Sequence, residues 1–307
     1  MVPLPWRHEL TLFGAYADVR PDFSVVDPDL GNLRNNGNFW QVSGRYSVPL
    51  PSVHKYEHEA TAGFDFKRTD TPLLFLGSGA GLLRTNEVDI AQFSLSYAGR
   101  YSDRLGRTTF ALLGVYSPGS MTTHNHKADF QDFSSDTDPR YFYGQVEVRR
   151  ETLLPLGFSW YTRAKGQLSD AKLIATETFS IGGYDTVRGY DERVVGGDDG
   201  WLLVNELRTP QMVLGNLTGK ANAKDWLQGL FFVDYGGAIN RGPLVAQRRE
   251  EVLLSVGLGF RYQVADNFRV RFDYGWQLDD EYLSGPNAAL LGNPADRRAH
   301  FGVEMSF

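Results

Sequence analysis

The segment 297–307, RRAHFGVEMSF, decides the fold class, because its apolar and polar side chains alternate. The apolar positions are Ala299, Phe301, Val303, Met305 and Phe307, and the polar positions between them are Arg298, His300, Glu304 and Ser306. A period of two residues is typical of a β-strand that has one apolar and one polar face. The sequence therefore predicts a C-terminal strand whose two faces meet different surroundings.

The same two-sided pattern recurs along the chain of 307 residues. Near the C-terminus it appears around Val270 and Phe272, which alternate with Arg269, Arg271 and Asp273. Runs of this kind predict twelve strands. They lie near residues 7–17, 38–48, 56–67, 88–101, 107–117, 140–151, 157–168, 200–208, 226–236, 250–263, 267–277 and 297–307.

The predicted connections alternate between long and short. The short ones contain PLPSVHKY, SDRLGR, TLLPLG and VADN, and 209–225 is intermediate. The long ones are 18–37, 68–87, 118–139, 169–199, 237–249 and 278–296. Outer-membrane barrels have this asymmetry, with short periplasmic turns and longer extracellular loops. This parity places the C-terminus, and the start of the first strand, on the short-turn side.

Alternation alone does not separate a membrane barrel from a secreted β-sandwich, since each has one apolar and one polar face. Two further observations favour the barrel. All six tryptophans fall near a predicted strand end, where amphipathic rings meet a membrane interface. The polar faces also carry charges, such as Arg269, Arg271 and Asp273, that a water-filled lumen accommodates. We predict an all-β, transmembrane antiparallel barrel over residues 1–307 and keep the sandwich as the alternative.

Composition excludes several classes of protein. The net charge of −6 makes nucleic acid an unsuitable partner, and the absence of cysteine excludes disulfide scaffolds, Cys-ligated zinc and thiol catalysis. The longest mostly apolar stretch, PLLFLGSGAGLL, is too short and too rich in glycine for a spanning helix. The N-terminus lacks the pattern of a secretory signal.

No catalytic or metal-binding constellation emerges from the sequence. His124 and His126 form a two-ligand pattern without a defined third ligand, and the aspartates at 132, 136 and 138 lack the glycine and glutamate of a calcium loop. Residues 279–281, Asp-Asp-Glu, are interpreted as a hydrated loop tip. No G-x-S-x-G or phosphate-binding loop is present. We predict a protein that is not an enzyme and has no metal or other cofactor.

The most distinctive segment is 179–208, FSIGGYDTVRGYDERVVGGDDGWLLVNELR, in which glycine pairs surround a single Val-Arg-Gly-Tyr sequence. Its last part carries apolar residues on both faces of the predicted strand, which leaves Asn205 or Glu206 poorly placed. The loop resembles that of the ShlB/FhaC/HecB haemolysin-activator family of two-partner secretion transporters, within the BamA-like outer-membrane superfamily. The resemblance rests on Gly182-Gly183, residues 187–190, the strand motif at Gly200, Trp201, Asn205 and Glu206, FFVDYG at 231–236, and the terminal Phe307.

The resemblance implies a sixteen-stranded barrel in which the loop 169–199 folds into the lumen and carries Val187, Arg188, Gly189 and Tyr190. It also implies that Arg188 pairs with Asp234 on the barrel wall, and that Gly189 and Gly236 allow the two backbones to approach. A guanidinium in a partly desolvated lumen needs a carboxylate in fork geometry, which agrees with that pairing. The alternative is that Arg188 lies on a solvated loop. Phe307 is expected to be the C-terminal signal for membrane insertion.

Counted back from the loop, the first predicted strand corresponds to the family's fifth. Four strands, the periplasmic POTRA domains and a signal peptide are therefore absent from the pattern. The chain is either a fragment or a twelve-stranded barrel. The implied function is secretion of an unfolded haemolysin- or adhesin-like (TpsA-like) exoprotein, with outer-membrane lipid and the barrel-assembly machinery as further partners. A BamA-type assembly factor and a passive porin remain alternatives.

Overall fold

A computed structural model of the chain describes residues 2–3, 5–19, 33–35, 37–70, 73–75, 81–84, 87–133, 135–216, 225–242, 249–279 and 296–306. Strands dominate these residues, as the alternation of apolar and polar side chains predicts. In chain order the strands are β1 (Val2–Pro3), β2 (Glu9–Val19), β3 (Leu33–Asn35), β4 (Gly37–Pro49), β5 (Tyr56–Asp70), β6 (Leu73–Phe75), β7 (Gly81–Arg84), β8 (Glu87–Asp103), β9 (Gly106–Pro118), β10 (Arg140–Leu153), β11 (Ser159–Ser169), β12 (Phe179–Ile181), β13 (Val195–Gly197), β14 (Asp199–Arg208), β15 (Asp225–Ile239), β16 (Glu250–Val264), β17 (Phe268–Gln277) and β18 (Arg297–Met305).

All twelve predicted strands are present, with ends displaced by a few residues. Together with the short β1 they form one antiparallel sheet of thirteen strands, in the order β1-β2-β4-β5-β8-β9-β10-β11-β14-β15-β16-β17-β18. Consecutive strands of this sheet are neighbours throughout, as in the up-and-down topology of outer-membrane barrels. Among the described residues, no pairing joins the edge strands β1 and β18.

Two smaller sheets lie in the connections. Strands β12 and β13 pair within the connection between β11 and β14, and β3, β6 and β7 form a three-stranded sheet. The described part of the chain has one α-helix, α1 (Lys127–Phe133), in the connection between β9 and β10. No helix in this part is long and apolar enough to span a membrane.

The two faces of the main sheet differ as the alternation predicts. The outward face exposes large apolar side chains, including Leu203, Phe231 and Leu258. The opposite face, which we call the inward face, carries Glu206, Asp234 and Asp273, all of them buried. A soluble sandwich would bury its apolar stripes against one another, so the exposed outward stripes agree with the barrel and not with the sandwich.

The connections also differ between the two rims. The short turns at 50–55, 104–105, 154–158 and 265–267 share one rim with residues 209–216, which follow β14. The long connections, including 119–139 and 170–198, share the other. We call these the short-turn rim and the loop rim.

Candidate functional site

The connection 170–198 folds back from the loop rim against the inward face. Its hairpin, β12 with β13, holds a tip that contains residues 182–194. The apolar residues of this connection and of the inward face make one buried cluster: Phe179, Ile181, Val187, Tyr190, Val195, Leu202, Val204, Ala238 and Leu253. This packing explains why β14 is apolar on both faces. Its outward face is exposed, whereas the loop covers Leu202 and Val204 on its inward face.

Glycine is required where the tip turns. Gly182 and Gly183 both have a φ of +100°, a region that side chains other than glycine rarely adopt. A Cβ on Gly182 would lie 2.5 Å from the carbonyl oxygen of Asp191, and one on Gly183 would collide with the Glu192 carboxylate. Because Gly183 N–H donates to the carbonyl of Val187 at 3.1 Å, the turn presents the next residue, Arg188, to the sheet.

Arg188 lies against Asp234 of β15 in a fork geometry. Its Nε donates to Oδ2 at 2.7 Å, its Nη2 donates to Oδ1 at 2.8 Å, and its backbone N–H donates to Oδ2 at 3.1 Å. Both residues are buried, with exposed fractions of 1% for Arg188 and 0% for Asp234. The loop therefore places a guanidinium in a desolvated site, where hydrogen bonds to charged groups are strongest.

Two further carboxylates complete the surroundings of this guanidinium. Arg188 Nη1 donates to Glu206 Oε1 of β14 at 2.6 Å and lies 3.5 Å from Asp273 Oδ1 of β17. The ring of Phe232, next but one to Asp234 on the same face of β15, lies beneath the guanidinium carbon at 3.7 Å from its centroid. One loop arginine thus connects three strands of the sheet.

Other arginines balance these carboxylates. Arg208 donates to Glu206 Oε2 through Nε and Nη2 at 2.8 and 2.6 Å. Arg261 donates to both oxygens of Asp273 at 2.8 and 3.1 Å, and Arg271 donates to Asp273 Oδ2 at 2.7 Å.

The pKa of Arg188 follows from these surroundings. Burial by itself lowers the pKa of this loop guanidinium, but the hydrogen bonds to Asp234 and the charges of Asp234, Glu206 and Asp273 outweigh burial. The net effect raises the pKa of Arg188 above its ordinary value. Arg188 therefore remains charged at every physiological pH.

The residues around Arg188 fit the sheet closely. Gly189 has a φ of +95°, and a Cβ there would lie 3.0 Å from the carbonyl carbon of Gly275. Its N–H donates to His300 Nε2 at 3.1 Å, and its carbonyl accepts from Gln277 Nε2 at 2.7 Å. The Tyr190 ring is buried, and its hydroxyl lies 2.8 Å from the carbonyl oxygen of Leu254.

The remaining predicted residues occupy both faces of the sheet. Gly236 lies beneath the loop, where a Cβ would lie 3.3 Å from Val187 Cγ2, and a Cβ on Gly200 would collide with the ring of Phe179. Trp201 packs edge-on against Tyr235. Asn205 accepts a hydrogen bond from Thr162 Oγ1 at 2.9 Å, whereas its neighbour Glu206 faces inward. Phe307 lies outside the described residues.

A second anchor holds the first part of the loop. Glu177, which is buried, accepts hydrogen bonds from Lys67 Nζ of β5 at 2.6 Å, Gln92 Nε2 of β8 at 3.1 Å and the Tyr143 hydroxyl of β10 at 3.1 Å. The connection 119–139 packs nearby, because Phe130 of α1 joins Leu173 and Ile174 in a second buried cluster. Two long connections therefore lie together against the inward face.

The histidines and acidic residues considered as metal ligands are dispersed. His124 Nε2 lies 3.2 Å from Glu87 Oε2, and His126 Nδ1 lies 3.2 Å from the Ser120 hydroxyl. Asp138 pairs with Lys127 at 3.6 Å. In the part of the chain that the structure describes, no group of three histidine, aspartate or glutamate side chains is arranged to hold a metal ion. Of residues 279–281, the last two lie outside the described part.

Sequence reasoning missed several functional neighbours of Arg188. Glu206 was identified only as part of a strand motif, and Asp273 only as a lumen charge. The contacts of His300, Gln277 and Phe232 with the loop were not predicted. The available signal was the alternation of side chains along each strand. An acidic residue on the inward face of β14 or β17 faces the same space as Asp234.

Comparison with known proteins gives a family match. The model of the family "Haemolysin secretion/activation protein ShlB/FhaC/HecB" matches residues 83–262, which is more than half of the chain. The heme/hemopexin transporter protein HuxB of Haemophilus influenzae (strain 86-028NP) is 26% identical over 183 residues, which are 57% of this chain and 30% of HuxB.

Solved structures with the same fold include CdiB from Escherichia coli, with a TM-score of 0.73 and 16% identity over 98% of this chain and 50% of that one. CdiB from Acinetobacter baumannii gives a TM-score of 0.67, with 16% identity over 98% of this chain and 48% of that one. BamA from Haemophilus ducreyi lacking POTRA domains 1–3 gives a TM-score of 0.58, with 12% identity over 99% of this chain and 60% of that one. The chain spans about a third of HuxB and half of each CdiB chain.

Proposed function

We propose a function from one premise: the chain belongs to the haemolysin secretion/activation protein family ShlB/FhaC/HecB. It forms wall and plug of an outer-membrane transporter that secretes an unfolded haemolysin- or adhesin-like exoprotein by two-partner secretion. The inward face is the lumen, the loop rim is extracellular and the short-turn rim is periplasmic. The domain is a single barrel over residues 1–307 with a loop, 169–199, inserted in the lumen.

The observation that carries this proposal is the anchoring of the loop by Arg188. A passive porin keeps an open aqueous lumen, whereas here the lumen carries an apolar cluster and a buried guanidinium that hold the loop in place. An obstacle fixed by a defined set of contacts suits a channel that opens only for its cargo. In this proposal Val187, Arg188, Gly189 and Tyr190 form the anchor, and Asp234, Glu206 and Gly236 form its receptor on the wall.

The transporter is not an enzyme and needs no cofactor. Folding of the exoprotein outside the cell supplies the direction of transport. The exposed apolar outward face contacts outer-membrane lipid, the barrel-assembly machinery inserts the chain, and Phe307 contributes to its recognition. Because HuxB is named as a heme/hemopexin transporter protein, an exoprotein that binds heme or hemopexin is a suitable first cargo to test.

Secretion of a co-expressed exoprotein into the medium tests the proposal. The unsubstituted protein should export the cargo encoded beside its own gene, and Arg188→Ala should reduce export. In vesicles, export should continue without any nucleotide. Failure of the unsubstituted protein to export any candidate cargo would contradict secretion, and unchanged ion conductance in Arg188→Ala would favour a porin.

The likeness to BamA supports one alternative, an assembly factor for outer-membrane proteins. Depletion of the protein distinguishes the two functions. Loss of a secretion transporter should stop the export of its own cargo alone, whereas loss of an assembly factor should lower the amounts of many outer-membrane proteins together.

A further inference from the structure

A cavity of about 430 Å³ lies between the loop tip and the inward face, on the side of the short-turn rim. Arg208, which lines it, is the last residue of β14, at the end of that strand away from the loop. The lining also includes the ring of Tyr161. Its arginines come from the loop and five strands: Arg149, Arg163, Arg188, Arg208, Arg261 and Arg271.

The carboxylates of this region are shared between arginines. Glu147 accepts from both Arg149 and Arg163, whereas Glu206 accepts from both Arg188 and Arg208. The lining itself contains six arginines but two carboxylates, Asp185 and Glu206, and each guanidinium has N–H donors in a planar fork that matches a carboxylate. The cavity therefore presents guanidinium edges suited to further carboxylates.

The loop itself shows how a peptide carboxylate binds here. Asp185, at the tip, accepts from Arg271 Nη1 at 3.0 Å through its side chain and from Arg163 Nη1 at 2.8 Å through its carbonyl. Its side chain is nevertheless 77% exposed. Arg271 also donates to the carbonyl of Tyr184 at 2.5 Å. The same two arginines thus hold the loop tip through groups that any acidic peptide carries.

We propose that this arginine cavity is a binding site for acidic, carboxylate-rich segments of an unfolded polypeptide that enters from the short-turn rim. The carboxylates of such a segment bind Arg163 and Arg271 in place of Asp185. The exchange removes contacts that hold residues 184–185, so cargo binding and loosening of the loop tip are coupled. This inference rests on the proposed secretion function and specifies which part of the cargo the lumen recognises.

Binding of a labelled glutamate-rich peptide to the protein purified in detergent tests the site. Fluorescence anisotropy should show binding that weakens with added salt, whereas the glutamine counterpart of the peptide should not bind. Arg163→Gln and Arg271→Gln should each weaken binding by about three- to ten-fold, because each removes a charged donor. The matched control is Arg100→Gln. Arg100 shares a face of β8 with Gln92 but lies outside the cavity, and it pairs with Glu57 at 3.7 Å.

Asp185→Asn gives the sharper result. It removes the resident carboxylate from Arg271, while the backbone carbonyl that binds Arg163 remains, and should tighten peptide binding, whereas a purely structural role for these residues predicts no tightening. Equal binding of the glutamate and glutamine peptides, or unchanged binding in Arg163→Gln and Arg271→Gln, would overturn the proposal. Sulfate that displaces the peptide much more strongly than chloride does at equal ionic strength would show a site for small anions and would also overturn it.

Secretion assays on the same variants separate this inference from the proposed function. If the unsubstituted protein exports its cargo and the peptide does not bind, only the cavity proposal fails. If the peptide binds as expected and no cargo is exported, the secretion function fails.

Discussion

Replacement of Arg188 by alanine should release the loop tip from the inward face. Among the described residues, every hydrogen bond to the Asp234 carboxylate comes from Arg188, through Nε, Nη2 and the backbone N–H. The substitution removes both side-chain donors and leaves a carboxylate with an exposed fraction of 0%. Glu206 and Asp273 keep their other arginines, so Asp234 bears most of the loss.

The size of the effect follows from burial. Removing one partner of a buried ion pair costs about 3–5 kcal/mol, because the other charge stays desolvated and uncompensated. Since about 1.4 kcal/mol is a factor of ten in an equilibrium constant, the released population should rise by about two to three and a half orders of magnitude. An exposed pair would change it by no more than about five-fold.

Cysteine labelling measures the released population directly. The sequence contains no cysteine, so Val187→Cys introduces a single thiol. Val187 has an exposed fraction of 0%, and a maleimide therefore reaches this position only when the loop leaves the sheet. In this background, Arg188→Ala should raise the labelling rate in proportion to the released population.

The double-mutant cycle supplies the decisive comparison. Asp234→Ala should also raise labelling, and the double variant should raise it by less than the product of the two single effects, since the pair is already broken in each. Arg188→Lys should fall between the background and Arg188→Ala, because one ammonium compensates the charge of Asp234 in part but cannot reproduce the fork to Asp234 together with the bond to Glu206. Labelling rates within about two-fold of the background, or independent effects in the double variant, would refute the buried-pair account.

Three further outcomes follow from the same contacts. Gly189→Ala should destabilise the anchored loop by about 1–2 kcal/mol, because Gly189 has a positive φ and a close backbone contact. The matched Gly196→Ala, where a Cβ would have 3.5 Å of clearance, should not destabilise the loop. The measurement is the temperature at which the barrel unfolds on gels. Lys67→Glu and Glu177→Lys should each expose the connection 170–198 to protease. The double variant should restore protection, because it re-forms with opposite charges the pair that lies at 2.6 Å. Equal cleavage in all three variants would exclude a second anchor. Tyr190→Phe should cost about 1 kcal/mol through the lost hydroxyl bond to the wall, measured with the Val187→Cys thiol; an unchanged labelling rate would show that this bond contributes nothing.

The strands were predictable because each has one exposed apolar face and one polar inward face. This period of two residues survives in the sequence without any knowledge of neighbours. The alternation of turn lengths likewise predicted which connections share a rim. The irregular strand β14 was the informative exception. Its inward Leu202 and Val204 are apolar because the loop, rather than water, covers them.

The network around Arg188 was less accessible to sequence reasoning. Asp234 was identified through a motif, but the roles of Glu206 and Asp273 depend on the register between strands. Glu206 lies opposite Phe232 in the β14–β15 pair, two residues from Asp234, and Asp273 lies opposite Gly259 in the β16–β17 pair. Local sequence does not specify register, because register depends on the pairing of both strands together. Lys67 and Glu177 are 110 residues apart, and nothing in either segment predicts their contact.

The two anchors have different consequences for opening. Arg188 joins the loop tip to β14, β15 and β17, whereas Glu177 joins the base of the loop to β5, β8 and β10. The tip anchor lies next to the arginine cavity and shares Glu206 and Asp273 with its arginines, so a ligand in that cavity perturbs the tip first. The base anchor shares no residue with the cavity. Release at the tip therefore does not require release at the base, and we expect the loop to open in two steps, beginning at Asp185 and Arg188.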